Sequence, residues 1–293
     1  MKTEELMSQV YLDSQKPQTA PLLPTGLKDL DELTWGLHKG QVCLVAGFPK
    51  TGKTTLALNF AANLANGLNA NNIHIFSFEM SVKRLAGRFL AMFAKVDNSR
   101  IIRHNLDVSD RQKIESVIAT INGIPITLHF GEVDTPGGLL NFFSKNSPDV
   151  VIVDYVQKVK QLGGSKLEAI DNWVNIFCEQ CVKLNFAGIV CSQMTQTIGF
   201  GDHKKIGGET GKGSRILEEA PDTILKLNWH DGSFGCPRCD SDYDKGGNCR
   251  RCQTKLVENL YTVKVDYNRD GDVGLIPLVF VPKWYKFFDF FNS

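Results

Sequence analysis

The feature that most constrains the fold is a glycine-rich loop between an apolar strand and a helix. Residues 47–54 have the sequence GFPKTGKT, which satisfies the pattern G-x-x-x-x-G-K-[ST]. The apolar run at residues 41–46 predicts a buried strand, and residues 55–65 carry apolar side chains at helical spacing. Backbone N–H groups of such a loop form a nest for phosphate, and the helix N-terminus adds partial positive charge. This context favours a phosphate-binding site over an ordinary strand-turn-helix.

Several residues of this loop have distinct expected roles. Lys53 is predicted to reach the outer phosphates of a bound nucleotide, and the hydroxyl of Thr54 to bind Mg²⁺. The other positions predicted to contact the nucleotide are Gly47, Pro49, Gly52, Thr55 and, farther along the chain, Asp154. The expected cofactors are therefore ATP, or another nucleoside triphosphate, and Mg²⁺.

Polar residues that end later strands are expected at the same sheet edge as the loop. Asp154 ends the apolar run at residues 149–153, where it can hold Mg²⁺ through water. Glu79 ends the run at residues 73–78 and can polarise the water that attacks the γ-phosphate, although it could instead cap the helix that follows. Gln193 follows a third strand and can contact both the γ-phosphate and the next loop.

The alternation of strand and helix patterns predicts an α/β fold. Its core is a mostly parallel sheet flanked by helices on both faces, and a final hairpin around residues 268–272 is expected at the sheet edge. The predicted organisation is an N-terminal helix and linker at residues 1–23, an ATPase domain at 24–287, and a small insertion at 230–258.

Four cysteines define that insertion. Cys236 and Cys239 form one C-x-x-C turn, and Cys249 and Cys252 form a second one after a polar spacer. Four thiolates at two such turns can close a tetrahedral Zn²⁺ site, and the spacer is too polar to form a core without metal. The sequence therefore predicts a structural zinc site with every ligand supplied by protein.

Composition limits the location and the partners. The net charge of +1 does not indicate a nucleic-acid partner, so DNA binding has to come from local basic loops. No apolar run reaches transmembrane length, and the first twenty residues lack the apolar core of a signal peptide. We expect a cytoplasmic protein without a membrane partner.

The motifs, taken in chain order, resemble the RecA-like motor domain of DnaB-type replicative helicases. The resemblance runs from about residue 24 to residue 287. The matching segments are Pro24-Thr25-Gly26, Leu30-Asp31, Gly36-Leu37, the phosphate loop, Phe76-Ser77-Phe78-Glu79-Met80, Val153-Asp154-Tyr155-Val156-Gln157, Ser192-Gln193, and Gly213-Ser214 before residues 218–222.

This resemblance implies a ring, usually of six subunits, that hydrolyses nucleoside triphosphate between neighbours and draws single-stranded DNA through its centre. Glu79 matches the family's catalytic glutamate, Asp154 its Mg²⁺ carboxylate, and Gln193 its γ-phosphate sensor. Arg269 matches the arginine finger that enters the neighbouring subunit's site, although Tyr267 stands where the family commonly has lysine. The family's N-terminal domain has no counterpart here, so binding of primase or other replisome proteins through it is not assumed. A phage or mobile element is a possible source.

Lysines in glycine-rich loops after the Asp154 and Gln193 strands are the expected DNA contacts. Glycine with lysine suits tracking of the phosphate backbone without base recognition, although such residues can also be solvated surface charges. The residues predicted to bind DNA are Lys158, Lys160, Lys204, Lys205 and Lys212.

Two alternatives to the helicase remain open from the sequence. One is a RecA/RadA-like DNA-dependent ATPase that forms filaments or remodels complexes without unwinding. The other is a nucleotide-gated loading module that recruits a partner through its zinc knuckle. The complete hydrolysis set of Glu79, Gln193 and Arg269 argues against a module that only binds. For Arg269 itself, the alternative role is to cap an exposed turn.

Overall fold

A computed structural model describes residues 3–15, 23–67, 69–194 and 215–290 of the chain. Its strands are β1 (Val42–Gly47), β2 (Ile73–Ser77), β3 (Ile126–Phe130), β4 (Val150–Asp154), β5 (Ala187–Gln193), β6 (Thr223–Trp229), β7 (Phe234–Gly235), β8 (Asp242–Tyr243), β9 (Val257–Glu258), β10 (Tyr261–Asn268), β11 (Gly274–Val281) and β12 (Lys286–Asp289).

The helices of the described residues connect and cover these strands. They are α1 (Thr3–Ser14), α2 (Lys28–Thr34), α3 (Lys53–Asn66), α4 (Val82–Ala94), α5 (Asn98–Ile102), α6 (Val108–Asn122), α7 (Pro136–Phe143), α8 (Lys166–Leu184) and α9 (Ile216–Glu219), with 3₁₀ turns at Val156–Lys158 and Pro282–Trp284. None of these helices is long and apolar enough to cross a membrane.

Nine strands form one sheet in the order β12-β11-β10-β6-β1-β5-β4-β2-β3. The six strands from β6 to β3 run parallel, and β10, β11 and β12 continue the sheet antiparallel. This confirms the predicted mostly parallel α/β fold. The expectation that the final hairpin forms the sheet edge is wrong, because β12 pairs outside β11. The four residues of β12 are too few to show a clear alternation in the sequence.

Apolar cores lie on both faces of the sheet. Helices α3 and α4 cover one face with side chains such as Leu56, Phe60 and Phe89. Helices α7 and α8 cover the other face, where Trp173 and Phe177 are fully buried. Burial on both faces explains why the central strands are continuous apolar runs rather than alternating ones.

The segment between β6 and β10 builds a separate small unit. Residues 230–258, called the insert below, contain the three-stranded sheet β8-β7-β9. Its apolar cluster is small, with Cys236, Cys249 and Leu256 as the buried members. The insert leaves the main sheet at the carboxyl end of β6, so it begins at the same end of the parallel strands as the loop after β1.

Candidate nucleotide-binding site

The phosphate loop connects β1 to α3 at the carboxyl edge of the parallel strands. Gly52 has a φ of 96°, in the left-handed region that favours glycine, and it immediately precedes α3. Gly47 is required for a different reason, because a Cβ there would lie 2.7 Å from the carbonyl oxygen of Leu227. The two glycines thus allow the loop to turn tightly against β6, as a loop that binds phosphate through its backbone N–H groups requires.

Lys53 begins α3 and folds back into the loop. Its Nζ donates a hydrogen bond to the carbonyl oxygen of Phe48 at 2.7 Å, and its side chain is largely buried. Burial lowers the pKa of Lys53, whereas the neighbouring Cys191, Asp154 and Glu79 act in the opposite direction. The ammonium is therefore held over the loop beside two carboxylates.

Thr54 and Asp154 meet at this edge, as the sequence predicts. The hydroxyl of Thr54 donates a hydrogen bond to Oδ2 of Asp154 at 2.8 Å, although the two residues are a hundred positions apart. Burial raises the pKa of Asp154, and the hydrogen bond from Thr54 and the charge of Lys53 oppose that rise. A hydroxyl and a carboxylate side by side are hard oxygen donors, which fit Mg²⁺.

Glu79 lies one strand away from Asp154. Strand β2 pairs with β4 so that Ser77 is opposite Asp154, and Glu79 follows on the exposed side of the edge. Its negative charge acts on the pKa values of both Lys53 and Asp154. Helix α4 begins after Ser81 without a side-chain cap, so Glu79 is not its N-cap residue. An exposed carboxylate at this edge can accept a proton from water above the loop.

Gln193 ends β5, and its backbone is held by the side chain of Gln157 in the 3₁₀ turn after β4. The side-chain amide of Gln157 donates to the carbonyl oxygen of Gln193 at 3.2 Å and accepts from its N–H at 3.1 Å. The same amide donates to Oγ of Ser192 at 2.7 Å. The backbone of Gln193 and the 3₁₀ turn after β4 therefore share one set of hydrogen bonds.

The structure brings Arg88 to this edge, a residue that the sequence reasoning missed. Its guanidinium lies 4.6 Å from the ring centroid of Tyr285. Burial lowers the pKa of Arg88, while Tyr285 and Asp154 raise it. A sequence signal existed, because Arg88 lies one turn after Leu85 and next to Phe89, both buried in α4. Arginine is rarely found at such positions unless its charge has a partner.

Arg269 lies at the opposite end of the strands, beside the amino end of β6. Strand β10 is antiparallel to β6, and Asn268 pairs with Thr223 at the start of β6, whereas Leu227 pairs with Gly47. Thr223 and Leu227 are four residues apart, so at about 3.3 Å per residue the two positions are separated by about 13 Å along the strand. Nη1 of Arg269 contacts Oδ1 of Asp222 at 2.5 Å, and the side chain is 55% exposed.

Tyr267, which stands where the resemblance led us to expect lysine, also contacts this guanidinium. A hydrogen bond with Tyr267 raises the pKa of Arg269, and the charge of Asp222 adds to that effect. Asp222 is held in turn, because its Oδ2 accepts a hydrogen bond from the N–H of Val42 at 2.9 Å. Asp222 and Tyr267 therefore hold the exposed guanidinium of Arg269 in place.

The comparison with known families decides the class of the protein. Residues 23–289 match the family described as DnaB-like helicase C terminal domain. The chain belongs to this family. The match extends from one residue before the predicted start of the ATPase domain to two residues beyond its predicted end, and it includes the insert.

Curated relatives of this DnaB-like chain are replicative helicases. The probable replicative DNA helicase of Trieres chinensis is 25% identical over 301 residues, covering 98% of this chain and 62% of that protein. The replicative DNA helicase DnaB of Rickettsia typhi is 26% identical over 293 residues, covering 90% of this chain and 56% of its own length. The chain thus spans roughly three fifths of the curated relatives it matches.

Solved structures show the same fold. The ATPase domain of G40P superimposes with a TM-score of 0.81 at 21% identity, and 98% of each chain is covered. A DnaB-like replicative helicase studied with primase superimposes with a TM-score of 0.80 at 22% identity, covering 98% of this chain and 68% of that one. The fold of this DnaB-like domain is therefore the RecA-like ATPase fold.

The lysines predicted to bind DNA differ in their surroundings. Lys158 is exposed in the 3₁₀ turn, with Nζ 5.7 Å from the ring centroid of Tyr155. Lys160 forms an ion pair with Asp134 at 2.9 Å, so part of its charge is already compensated. The remaining three, Lys204, Lys205 and Lys212, lie outside the described residues.

The four cysteines of the insert converge on one point in this DnaB-like chain. Their Sγ atoms all lie within 4.8 Å of one another, and all four are free thiols. The side-chain hydrogen bond with Tyr243 is the main reason that the pKa of Cys249 is lowered to about 6. Four thiols this close together fit a tetrahedral metal ion.

A buried histidine ties the insert to the main sheet. Nε2 of His230 contacts Oδ1 of Asp240 at 2.9 Å, and its Nδ1 contacts Asp242. Asp240 also accepts a hydrogen bond from Oγ1 of Thr262 in β10 at 2.5 Å. Although burial opposes it, hydrogen bonding to the two aspartates raises the pKa of His230 to about 9. The first cysteine turn is therefore joined to the end of the central sheet.

Proposed function

We propose that this chain is the motor of a DnaB-type DNA helicase. It hydrolyses ATP or another nucleoside triphosphate, translocates on single-stranded DNA and unwinds duplex during replication. Membership in the DnaB-like family supports this function, and so does the meeting of Lys53, Thr54, Asp154 and Glu79 at one sheet edge.

Each residue of this edge has a chemical role in the proposal. Lys53 and the loop N–H groups bind and orient the phosphates, and Glu79 orients the attacking water and accepts its proton. Thr54 and Asp154 would hold Mg²⁺, which neutralises phosphate charge when bound. Gln193 contacts the γ-phosphate, and Arg88 adds positive charge from the α4 side.

The observation that carries the proposal is the position of Arg269. About 13 Å of sheet separates the neighbouring Asn268 from the level of the phosphate loop of the same chain, farther than an arginine side chain extends. An arginine that stabilises the developing γ-phosphate charge must then come from a second copy of the chain. A repeated head-to-tail contact closes a ring when its rotation divides a full turn and otherwise builds a filament, and we propose a closed ring of six subunits.

Mixing two inactive variants tests this arrangement. Lys53→Ala and Arg269→Ala should each hydrolyse nucleotide poorly, and Arg111→Ala, an exposed arginine of α6, is the matched control that should remain active. In an equal mixture about a quarter of the interfaces join an intact loop to an intact Arg269, so activity should recover to about that fraction.

Two results would contradict the proposal. Full activity of Arg269→Ala alone would show that no second copy is needed. Activity per chain that is independent of protein concentration in a dilute monomer would show the same. Hydrolysis without separation of a forked duplex would instead favour a RecA/RadA-like ATPase that does not unwind.

The DNA path and the partners complete the proposal. Gln157 links Gln193 to the turn that carries Lys158, so loss of the γ-phosphate is transmitted directly to a DNA-facing segment. Lys158, Lys160, Lys204, Lys205 and Lys212 are the proposed phosphate contacts. One relative was studied for its interactions with primase, and we propose primase or other replisome proteins, in the cytoplasm, as further partners here.

For the insert we propose a structural Zn²⁺ site made by Cys236, Cys239, Cys249 and Cys252. The convergence of the four sulfur atoms supports it. Because protein fills every ligand position, the site has no open position for catalysis.

A further inference from the structure

The insert starts at the edge of the sheet that carries the nucleotide site. Leu227 pairs with Gly47 of the phosphate loop, and β6 ends soon afterwards at Trp229, where the insert begins. At the other end of β6, Asp222 holds Arg269. The insert and Arg269 therefore lie at opposite edges of one sheet.

The insert is fixed to that edge rather than loosely tethered. Asp240 joins the first cysteine turn to His230 at the end of β6 and to Thr262 in β10. Backbone hydrogen bonds reinforce the junction, with the N–H of His230 donating to the carbonyl of Leu260 at 2.9 Å and that of Asn259 to Ser233 at 3.0 Å. These contacts fix the position of the insert relative to β6 and β10 at the edge of the sheet where it begins.

The cysteine turns present positive charge on their exposed side. Arg238 lies within the first C-x-x-C turn, and Arg250 and Arg251 lie within the second. All three are exposed, and no ion pair of their guanidinium groups occurs among the described residues. Unpaired arginines on an ordered surface are suited to contact carboxylates of a partner.

The opposite edge presents the complementary charge. Asp270 and Asp272 flank Gly271 in the exposed turn next to Arg269. This turn packs on α2, because a Cβ at Gly271 would lie 3.2 Å from the carbonyl oxygen of Leu33. Glu32 of α2 is paired with Lys28 at 3.5 Å, and Oδ2 of Asp270 accepts a hydrogen bond from Nε2 of Gln41 at 2.6 Å. Asp270 and Asp272 thus place two carboxylates next to the arginine that is proposed to enter a neighbour's site.

We propose that the insert is part of the interface between copies of this chain, with Arg250 and Arg251 contacting Asp270 and Asp272 of the next copy. The inference rests on the proposed function, because the two edges face each other only if Arg269 of one copy approaches the phosphate loop of another. The metal ion then has a role in assembly, since it holds the arginine turns in position.

A charge exchange tests the pairing. The double variant Arg250→Glu/Arg251→Glu should raise the protein concentration needed for nucleotide-dependent assembly by about tenfold or more, and Asp270→Arg/Asp272→Arg should do the same, because each places like charges together. Combining all four substitutions in one chain should restore assembly. Mass photometry over a concentration series, with a non-hydrolysable nucleotide, measures each midpoint.

The controls separate assembly from folding and from metal binding. Arg111→Glu/Lys113→Glu makes the same charge change at exposed positions of α6 and should assemble as the wild type does. Zinc content and nucleotide binding by the monomer should be unchanged in every variant. A variant that loses zinc is replaced by Arg250→Gln/Arg251→Gln, for which the midpoint should still rise.

Three outcomes would overturn the inference. They are unchanged assembly in both double variants, failure of the four-substitution chain to recover, and weakened binding of single-stranded DNA with unchanged assembly. The mixing experiment with Lys53→Ala and Arg269→Ala is independent of these variants. Recovery in that experiment without an effect of the charge exchange would leave the proposed function intact and remove only the interface role of the insert.

Discussion

The ATPase core and the insert obtain their order in different ways. The core buries large apolar side chains such as Phe60, Trp173 and Phe177 on both faces of a nine-stranded sheet. Each contributes about 1.5–3 kcal/mol by leaving water. The insert has Leu256 and two cysteines as its buried apolar members. Ordering one residue costs about 1–2 kcal/mol of backbone entropy, so burial alone cannot hold the insert together.

The core and the insert are therefore sensitive to different substitutions. In the core, the large apolar side chains that stabilise the sheet are distinct from the polar side chains at the phosphate site, and Glu79 among the latter is exposed. In the insert, the cysteines that would bind metal also form most of the buried cluster. Function and stability are therefore separable in the core and inseparable in the insert.

The largest expected effect separates activity from stability in the core. Glu79→Gln should lower the rate of hydrolysis by about 10²–10⁴-fold, because the amide cannot accept the proton of the attacking water. Nucleotide binding and the thermal unfolding of the core should be unchanged, since Glu79 is exposed. Steady-state hydrolysis and calorimetry measure both, with Glu115→Gln on α6 as the matched control. Turnover at the wild-type rate would remove Glu79 from the mechanism.

The next effect concerns metal in the insert. Purified protein should contain about one Zn²⁺ per chain, and Cys249→Ser should lose it, because three ligands no longer complete the tetrahedral site. Proteolysis within the insert should then accelerate, while the unfolding transition of the core stays in place. Cys178→Ser, which changes a half-buried thiol of α8, should keep its zinc. Metal-free wild-type protein with four reactive insert thiols would exclude the site.

The smallest effect depends on pH. The pKa of His230 is raised to about 9 in the folded protein, so its contribution to stability is fully present below its unfolded value near 6.5. That contribution is lost as the pH rises through about 9. Cleavage by trypsin within the insert, relative to sites in the core, should therefore increase between pH 7 and pH 9.5. His230→Gln should show faster cleavage at pH 7 and a flatter pH profile, and an equally steep profile in that variant would contradict the assignment.

Local patterns in the sequence were sufficient for the parts of the site that lie close together along the chain. The phosphate loop is one segment of eight residues, and each pair of cysteines is one turn. Asp154 and Glu79 could also be placed, because carboxyl ends of parallel strands meet at one edge. The alternation of strand and helix patterns likewise predicted the mostly parallel sheet, because each strand and its following helix are adjacent in the sequence.

Other features depend on contacts between distant residues, so their positions could not be predicted even where a residue, such as Arg88, is unusual in its local pattern. The clamp of Gln157 on Gln193 requires the register of β4 and β5, and the approach of Arg88 requires the docking of α4 beside Tyr285. The outermost strand β12 was missed because four residues carry too little periodicity.

The chemistry that this chain can carry is written in short segments, because phosphate loops and cysteine turns are specified by the identity and spacing of neighbouring residues. The end of the strands at which each part lies depends on the folded chain. Strand order and direction place the phosphate loop and the insert at one edge and Arg269 at the other. Long-range pairing, which no local pattern encodes, therefore determines that Arg269 lies far from the phosphate loop of its own chain.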